Sequence, residues 1–205
     1  MFQKVCILTA AGILLMSACS GPRRPESTPA QNQDPAFKER TEKDVFFMSD
    51  SSPLPPEDKQ EFHGLQYYPV DPSMKFSVQL HRYQAPARVR LGTNTGEIRS
   101  GLRYGYFDFR VEGQECRLQV YKLDDALESG SHDLFVPFRD ATSGHETYGA
   151  GRYIDLKENT SGTYSLDFNR AYNPSCAYNT RYSCPVPPAE NTLKVPIRAG
   201  EKKYH

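Results

Sequence analysis

From Lys75 to Val120 apolar residues keep returning at every second position, and a period of two restricts this part of the chain to strands with one buried face. Phe76, Val78 and Leu80 alternate with Ser77, Gln79 and His81, and Val89 and Leu91 resume the pattern. Gly105, Phe107, Phe109 and Val111 line one face of the next strand. Glu112-Gly113-Gln114 then turns the chain into Cys116, Leu118 and Val120, as a short Gly-containing hairpin loop does. Further strands are expected at Asp133 to Phe138, Gly151 to Leu156, Thr163 to Asn169 and Leu193 to Arg198, with Pro196 making the last an edge. With 13 Tyr, 11 Phe and no Trp, the chain is stocked for aromatic cross-strand pairs. No repeat recurs at 20 to 50 residues, which excludes a solenoid or propeller. The expected fold is mainly β: an antiparallel barrel or sandwich with a short helical N-terminal flank.

That flank follows two segments of other character. Lys4 precedes an uncharged apolar stretch from Val5 to Leu15, which runs into Met16-Ser17-Ala18-Cys19. Such a stretch is too short for the ~20 residues that span a bilayer and matches a signal sequence instead. Small Ser17 and Ala18 before a cysteine read as a bacterial lipoprotein processing site, with Cys19 the lipidation residue and residues 1–18 removed. Two acyl chains hold a protein stably, at about 0.8 kcal/mol per buried CH₂. Ser20 after the cysteine favours the outer membrane, by resemblance to lipoproteins lacking an inner-membrane retention signal. From Ser20 to Asp34 the composition is polar and rich in Pro and Ser, so residues 19–34 read as a tether with a reach of about 20–25 Å. Residues 35–205 then form one β-rich domain. It opens with a helix from Pro35 to Met48, Asp34 as N-cap and Phe37, Thr41, Val45 and Met48 as the packing face. A second short turn runs from Pro56 to Phe62.

With 25 basic and 25 acidic residues the chain carries no electrostatic footprint for nucleic acid, which excludes a phosphate-backbone binder. No C-x-x-C or H-x₃₋₅-H spacing supports a zinc site, and no metal or cofactor is assigned.

The segment after Phe138 is the most unusual. It reads Gly144-His145-Glu146-Thr147-Tyr148-Gly149-Ala150-Gly151-Arg152-Tyr153, then Leu166-Asp167-Phe168-Asn169-Arg170-Ala171-Tyr172-Asn173-Pro174, Cys176-Ala177-Tyr178, Cys184-Pro185-Val186-Pro187-Pro188-Ala189-Glu190-Asn191 and Ile197-Arg198-Ala199-Gly200-Glu201-Lys202. Together with Ser52-Pro53-Leu54 and Gly64-Leu65-Gln66-Tyr67-Tyr68-Pro69-Val70-Asp71, this series closely resembles the bacterial family catalogued as domain of unknown function 1684. The resemblance runs from about Asp44 to Lys202 and implies no activity.

Read for its chemistry, the strand ending at Asn169 buries Tyr164, Leu166 and Phe168 and sets Asp167 beside Asn169 on the other face. Arg170 and Asn173 follow in the turn before Pro174. These residues, with Tyr148, Arg152 and Asn191, form either a polar cluster that satisfies loop backbone or a ligand pocket. In the pocket reading Arg152 clamps a carboxylate or phosphate while Asn169 and Asn173 read donors and acceptors. Cys176 and Cys184 are a candidate local disulfide worth about 2.5 kcal/mol, with a redox pair, a metal site or unlinked thiols as alternatives. Cys116 reads as a small core residue. His145 reads as a surface imidazole, and it could serve a Cys176 or Ser nucleophile only if the fold brings it to Asp167. Carboxylate pairs drawn from Asp140, Glu146, Asp155 and Asp167 have no distinctive spacing, and Gly149-Ala150-Gly151 lacks the helix of a phosphate loop. The function expected is that of an envelope-anchored, noncatalytic domain that binds a small molecule or envelope component. A small hydrolase or thiol-dependent enzyme is the alternative.

Overall fold

The computed structural model describes residues 35–131 and 133–205; Cys19, the tether and the proposed N-cap Asp34 lie outside them. Helix α1 (Pro35–Phe47) is followed by strands β1 (Lys75–Gln79), β2 (His81–Gly92), β3 (Ile98–Val111) and β4 (Gln114–Leu123). After these come a five-residue helix α2 (Asp124–Glu128) and strands β5 (Asp133–Phe138), β6 (Arg152–Lys157) and β7 (Thr163–Asp167). β2-β3-β4-β5-β6 make one antiparallel sheet and β1-β7 a second, with Val78 opposite Tyr164. The sheets are packed as an open sandwich and are not closed into a barrel. Between them Val78, Leu80, Tyr164, Leu166 and Phe168 meet Phe107, Phe109, Leu118, Val120, Leu134, Val136 and Phe138 in a continuous core.

The expected hairpin forms where the alternation placed it: Val111 pairs with Gln114 across Glu112 and Gly113. Both turn residues have positive φ, 49° and 80°, the geometry whose twist matches a two-residue hairpin. In β2 the register slips between Arg82 and Ala87, and Pro86 sits in the slip, where its missing N–H costs no ladder bond.

The expected short turn from Pro56 to Phe62 forms around a 3₁₀ turn, Asp58–Glu61. Two other expectations need correction. Leu193 to Arg198 forms no strand. Leu193 donates to the Arg139 carbonyl (2.8 Å) and Ala141 to that of Val195 (3.1 Å), but Pro196 cannot extend a ladder. Leu193, Val195 and Ile197 still enter the core, so the alternation survives without the strand. The second correction concerns α1. Its expected packing face is turned outward, with Val45 69% and Met48 52% exposed, while Ala36, Arg40 and Phe47 are buried. Polar partners choose this face. Arg40 donates to the carbonyls of Tyr68 (2.8 Å) and Asn169 (3.0 Å), and Asp44 accepts the Leu65 N–H (2.9 Å). Phe47 completes the docking in a second small core with Leu54, Leu65, Ala177 and Tyr178.

Candidate functional site

After β6 and β7 the chain has little ladder of its own, so its backbone groups must find partners among side chains. Arg152, the first residue of β6, supplies the largest share. It is wholly buried, and its guanidinium donates to the carbonyls of Ile197 (2.8 Å), Ala199 (2.5 Å) and Glu201 (3.2 Å) and to the Asp140 carboxylate (2.9 Å). Asp140 in turn accepts from the backbone of Thr142 (2.8 Å) and Ile197 (3.1 Å). Removing one partner of such a buried pair costs about 3–5 kcal/mol, because the other charge is left uncompensated. The expected role of Arg152 as a ligand clamp is therefore corrected: its Nη1 and Nη2 groups are bonded to the C-terminal carbonyls and Asp140, while its buried Nε has no hydrogen-bond partner among the described residues.

Asn191, also fully buried, is a splice between strands. β4 and β5 are in register at Tyr121 and Phe135, and Pro137 lacks the N–H that would continue the ladder. The Asn191 amide fills the gap, accepting from Gln119 N (2.8 Å) and donating to the carbonyls of Gln119 (3.0 Å) and Pro137 (2.6 Å). Asp167 caps the 3₁₀ turn Phe168–Arg170 by accepting from Asn169 N (3.0 Å). Asn169 reaches back to Asp71, accepting its N–H and donating to its carbonyl, both at 2.8 Å. Asn173 donates to Glu201 Oε1 (3.1 Å) and to the Lys202 carbonyl (2.7 Å). Asp167, Asn173 and Asn191 thus satisfy backbone and buried charge; of the two readings of the block, this is the polar-cluster one.

A cleft of about 260 Å³ remains between α1 and this block, and Asn169 and Arg170 stand in its wall with Glu39, Arg40, Lys43, Tyr67, Tyr172 and Glu201. Its geometry is set by Glu201, which is 1% exposed. Lys43 donates to Glu201 Oε2 (2.7 Å), and the Tyr178 hydroxyl donates to Oε1. Burial and the Glu201 charge push the Tyr178 phenol well above its ordinary value. The Lys43 ammonium also lies over Tyr172 (5.1 Å) and Phe47 (5.5 Å), and the Arg40 guanidinium lies over Tyr67 (4.6 Å). At the rim Arg170 is half-exposed and pairs with Glu39 at 2.7 Å. Three cations and two carboxylates line the cleft, an excess of one positive charge.

Arg40, Lys43 and Glu201 had no assigned role in the sequence reading. The signal was present as a second helical stripe, Ala36-Arg40-Lys43-Phe47, whose 4-3-4 spacing marks one face of a helix as well as an apolar stripe does.

Tyr148 stands apart from the cleft. Its hydroxyl is 3.8 Å from Cys176 Sγ, and burial, followed by this contact, raises it to about 12. The expected disulfide is corrected: Cys176, Cys184 and Cys116 are all free thiols. The Cys176 thiol instead hydrogen-bonds the Cys184 sulfur, and the Cys176 backbone N–H points at the same atom (3.3 Å). These contacts, with the Ser175 N–H and the Arg99 charge, hold Cys184 down at about 7 despite burial; the shared proton and burial push Cys176 up. His145 is exposed on its loop, whereas Asp167 is buried beneath Asn169, so the two are not assembled as base and orienter. Glu146 is committed to Arg198 (3.0 Å) and Tyr68 (3.0 Å) and is held low by them, and Asp155 is bonded to Tyr172. Among the described residues no three His, Cys, Asp or Glu side chains converge to hold a metal.

No curated protein matches the chain. A solution NMR structure of an uncharacterized protein from Haloarcula marismortui is 35% identical to it. The match covers 80% of this chain and 90% of that one, with a TM-score of 0.63. The family model described as Protein of unknown function (DUF1684) matches residues 60–202, most of the chain. The fold is thus similar to that of the Haloarcula protein, and the chain belongs to the DUF1684 family.

Proposed function

We propose that this protein is a noncatalytic lipoprotein of the bacterial envelope, held in the outer membrane by lipid on Cys19, and that its domain binds a small anionic ligand in the cleft under α1. The observation that carries the ligand reading is the lining of that cleft: Arg40, Lys43 and Arg170 converge with Tyr67 and Tyr172, and the cations outnumber the carboxylates. A few oriented polar groups among aromatic walls is how small-molecule sites are built. The noncatalytic part is supported by the fate of the polar block, whose Asp140, Arg152, Asp167 and Asn191 bond backbone groups and, for Asp140 and Arg152, each other. The anchor rests on Met16-Ser17-Ala18-Cys19 and the polar tether after it.

Native mass spectrometry of the gently purified mature chain tests the ligand reading. A retained low-mass anion is expected, and Arg170→Glu, at a half-exposed rim position, abolishes it without altering far-UV circular dichroism. A wild-type spectrum with no retained mass, together with no thermal stabilisation by inorganic phosphate, sinks the reading.

A thiol-dependent activity is the second reading. It is favoured by the lowered Cys184 thiol beside Cys176, although Cys184 is 8% exposed and no base or orienting group completes a nucleophilic site around it.

A further inference from the structure

The outward face of α1 is unlike the rest of the surface. Val45 (69%), Phe46 (46%) and Met48 (52%) stand in solvent within four consecutive positions, and they are half of the large exposed hydrophobic side chains among the described residues. Exposed Thr41 and the partly buried Phe37 continue this side toward the start of the helix, and the exposed apolar groups gather at its C-terminal end. A globular domain places such a stripe against its core. Here the core side of the helix is taken by Ala36, Arg40, Lys43 and Phe47, and the apolar stripe is left over.

We propose that this face docks on the lipid leaflet that carries the Cys19 anchor, with α1 lying in the plane of the acyl–headgroup boundary. The inference rests on the lipoprotein reading, because the position of α1 in the chain selects the occupant. Residues 20–34 lie between Cys19 and Pro35, so α1 is the first described element after the lipid, and the polar composition of that segment reads as a tether with a reach of about 20–25 Å. Interfacial helices settle about 5–10 Å into that boundary by their apolar face. The exposed charges beside the stripe, Lys38 paired with Glu42 at 3.6 Å, bring no surplus of cations. Apolar insertion drives the docking, and anionic lipid is not required. Docking also fixes the orientation of the domain, since the opposite side of the same helix forms a wall of the cleft.

The chain contains no tryptophan, so a single introduced one reports its own surroundings. Val45→Trp and, separately, Met48→Trp are made in the full chain, purified with its native processing and reconstituted into phosphatidylcholine vesicles with and without brominated acyl chains. Ile98→Trp, at an exposed position on the β2–β3 hairpin, is the reference. The expected result is blue-shifted emission from Val45→Trp and Met48→Trp that brominated lipid quenches, with Ile98→Trp unquenched. Equal quenching at all three positions overturns the proposal. Blue-shifted emission that brominated lipid leaves untouched also overturns it and assigns the face to a second copy or to the chain itself. The intact mass of the same preparations reads the anchor independently. An unmodified Cys19 with quenched Val45→Trp removes the lipoprotein reading and leaves the docking standing; a diacylated Cys19 with unquenched Val45→Trp does the reverse.

Discussion

At Cys184 one sulfur receives a thiol proton and backbone N–H groups, the arrangement that stabilises a thiolate. Iodoacetamide labelling followed by peptide mass mapping should therefore modify Cys184 with a midpoint near pH 7, ahead of Cys176 and Cys116, whose thiols are pushed up. Cys176→Ala removes the leading cause and moves the midpoint toward the ordinary value of about 8.5. Labelling that starts only above that value in the wild-type chain contradicts the assignment. Single residues were the least legible scale. Arg152, Asn169 and Asn191 were visible as polar residues in an aromatic setting, which a binding site and a backbone clamp share. What separates the two is the position of acceptors such as the Ile197 and Ala199 carbonyls, more than forty residues away in sequence. The cysteine pair shows the same limit: eight residues of separation allow a disulfide, but contact is set by how the loop between them folds.

Among elements, legibility followed how local the determinants are. The β3–β4 hairpin was readable because alternation and Gly113 specify it within twenty residues. The existence of α1 was readable for the same reason. Its buried face was not, because Lys43 finds Glu201 158 positions away and Arg40 finds the Asn169 carbonyl 129 away. The join of β4 to β5 depends on a loop side chain in the same way, and this gives a sharp expectation. Asn191→Ala leaves Gln119 N and O and the Pro137 carbonyl without the amide that serves them. At about 1–3 kcal/mol for each unsatisfied buried group, with partial relaxation, the loss is about 3 kcal/mol in urea unfolding. Asn191→Asp keeps the acceptor, loses the donors and falls at least as far. A change below 1 kcal/mol for Asn191→Ala would show that the splice is redundant.

For the molecule as a whole, the five-stranded sheet ends in β2 and β6, and Glu158 just beyond β6 reaches residues of β2, β3 and β4. It accepts from Lys122 of β4 (2.7 Å) and Tyr104 of β3, and Arg82 of β2 lies at 3.8 Å. Burial raises this carboxyl, but the bonds from Lys122 and Tyr104 and the Lys122 and Arg82 charges outweigh it and hold it at about 2. A carboxyl depressed on folding contributes stability that is complete above its unfolded value of about 4.3 and is lost as pH falls toward the folded one. Acid titration followed by circular dichroism should show stability declining between about pH 4 and pH 2, and Glu158→Gln should remove part of that slope while lowering stability at pH 7. An unchanged slope in the variant refutes the assignment. The latch at the far end of the chain has a temporal meaning. Arg152 and Lys43 await the carbonyls of Ile197 and Ala199 and the carboxylate of Glu201, which are synthesised 45, 47 and 158 positions after the side chains that hold them. A nascent chain can form its β3–β4 hairpin early but lacks the parts to seal the sandwich until residues 197–201 have emerged.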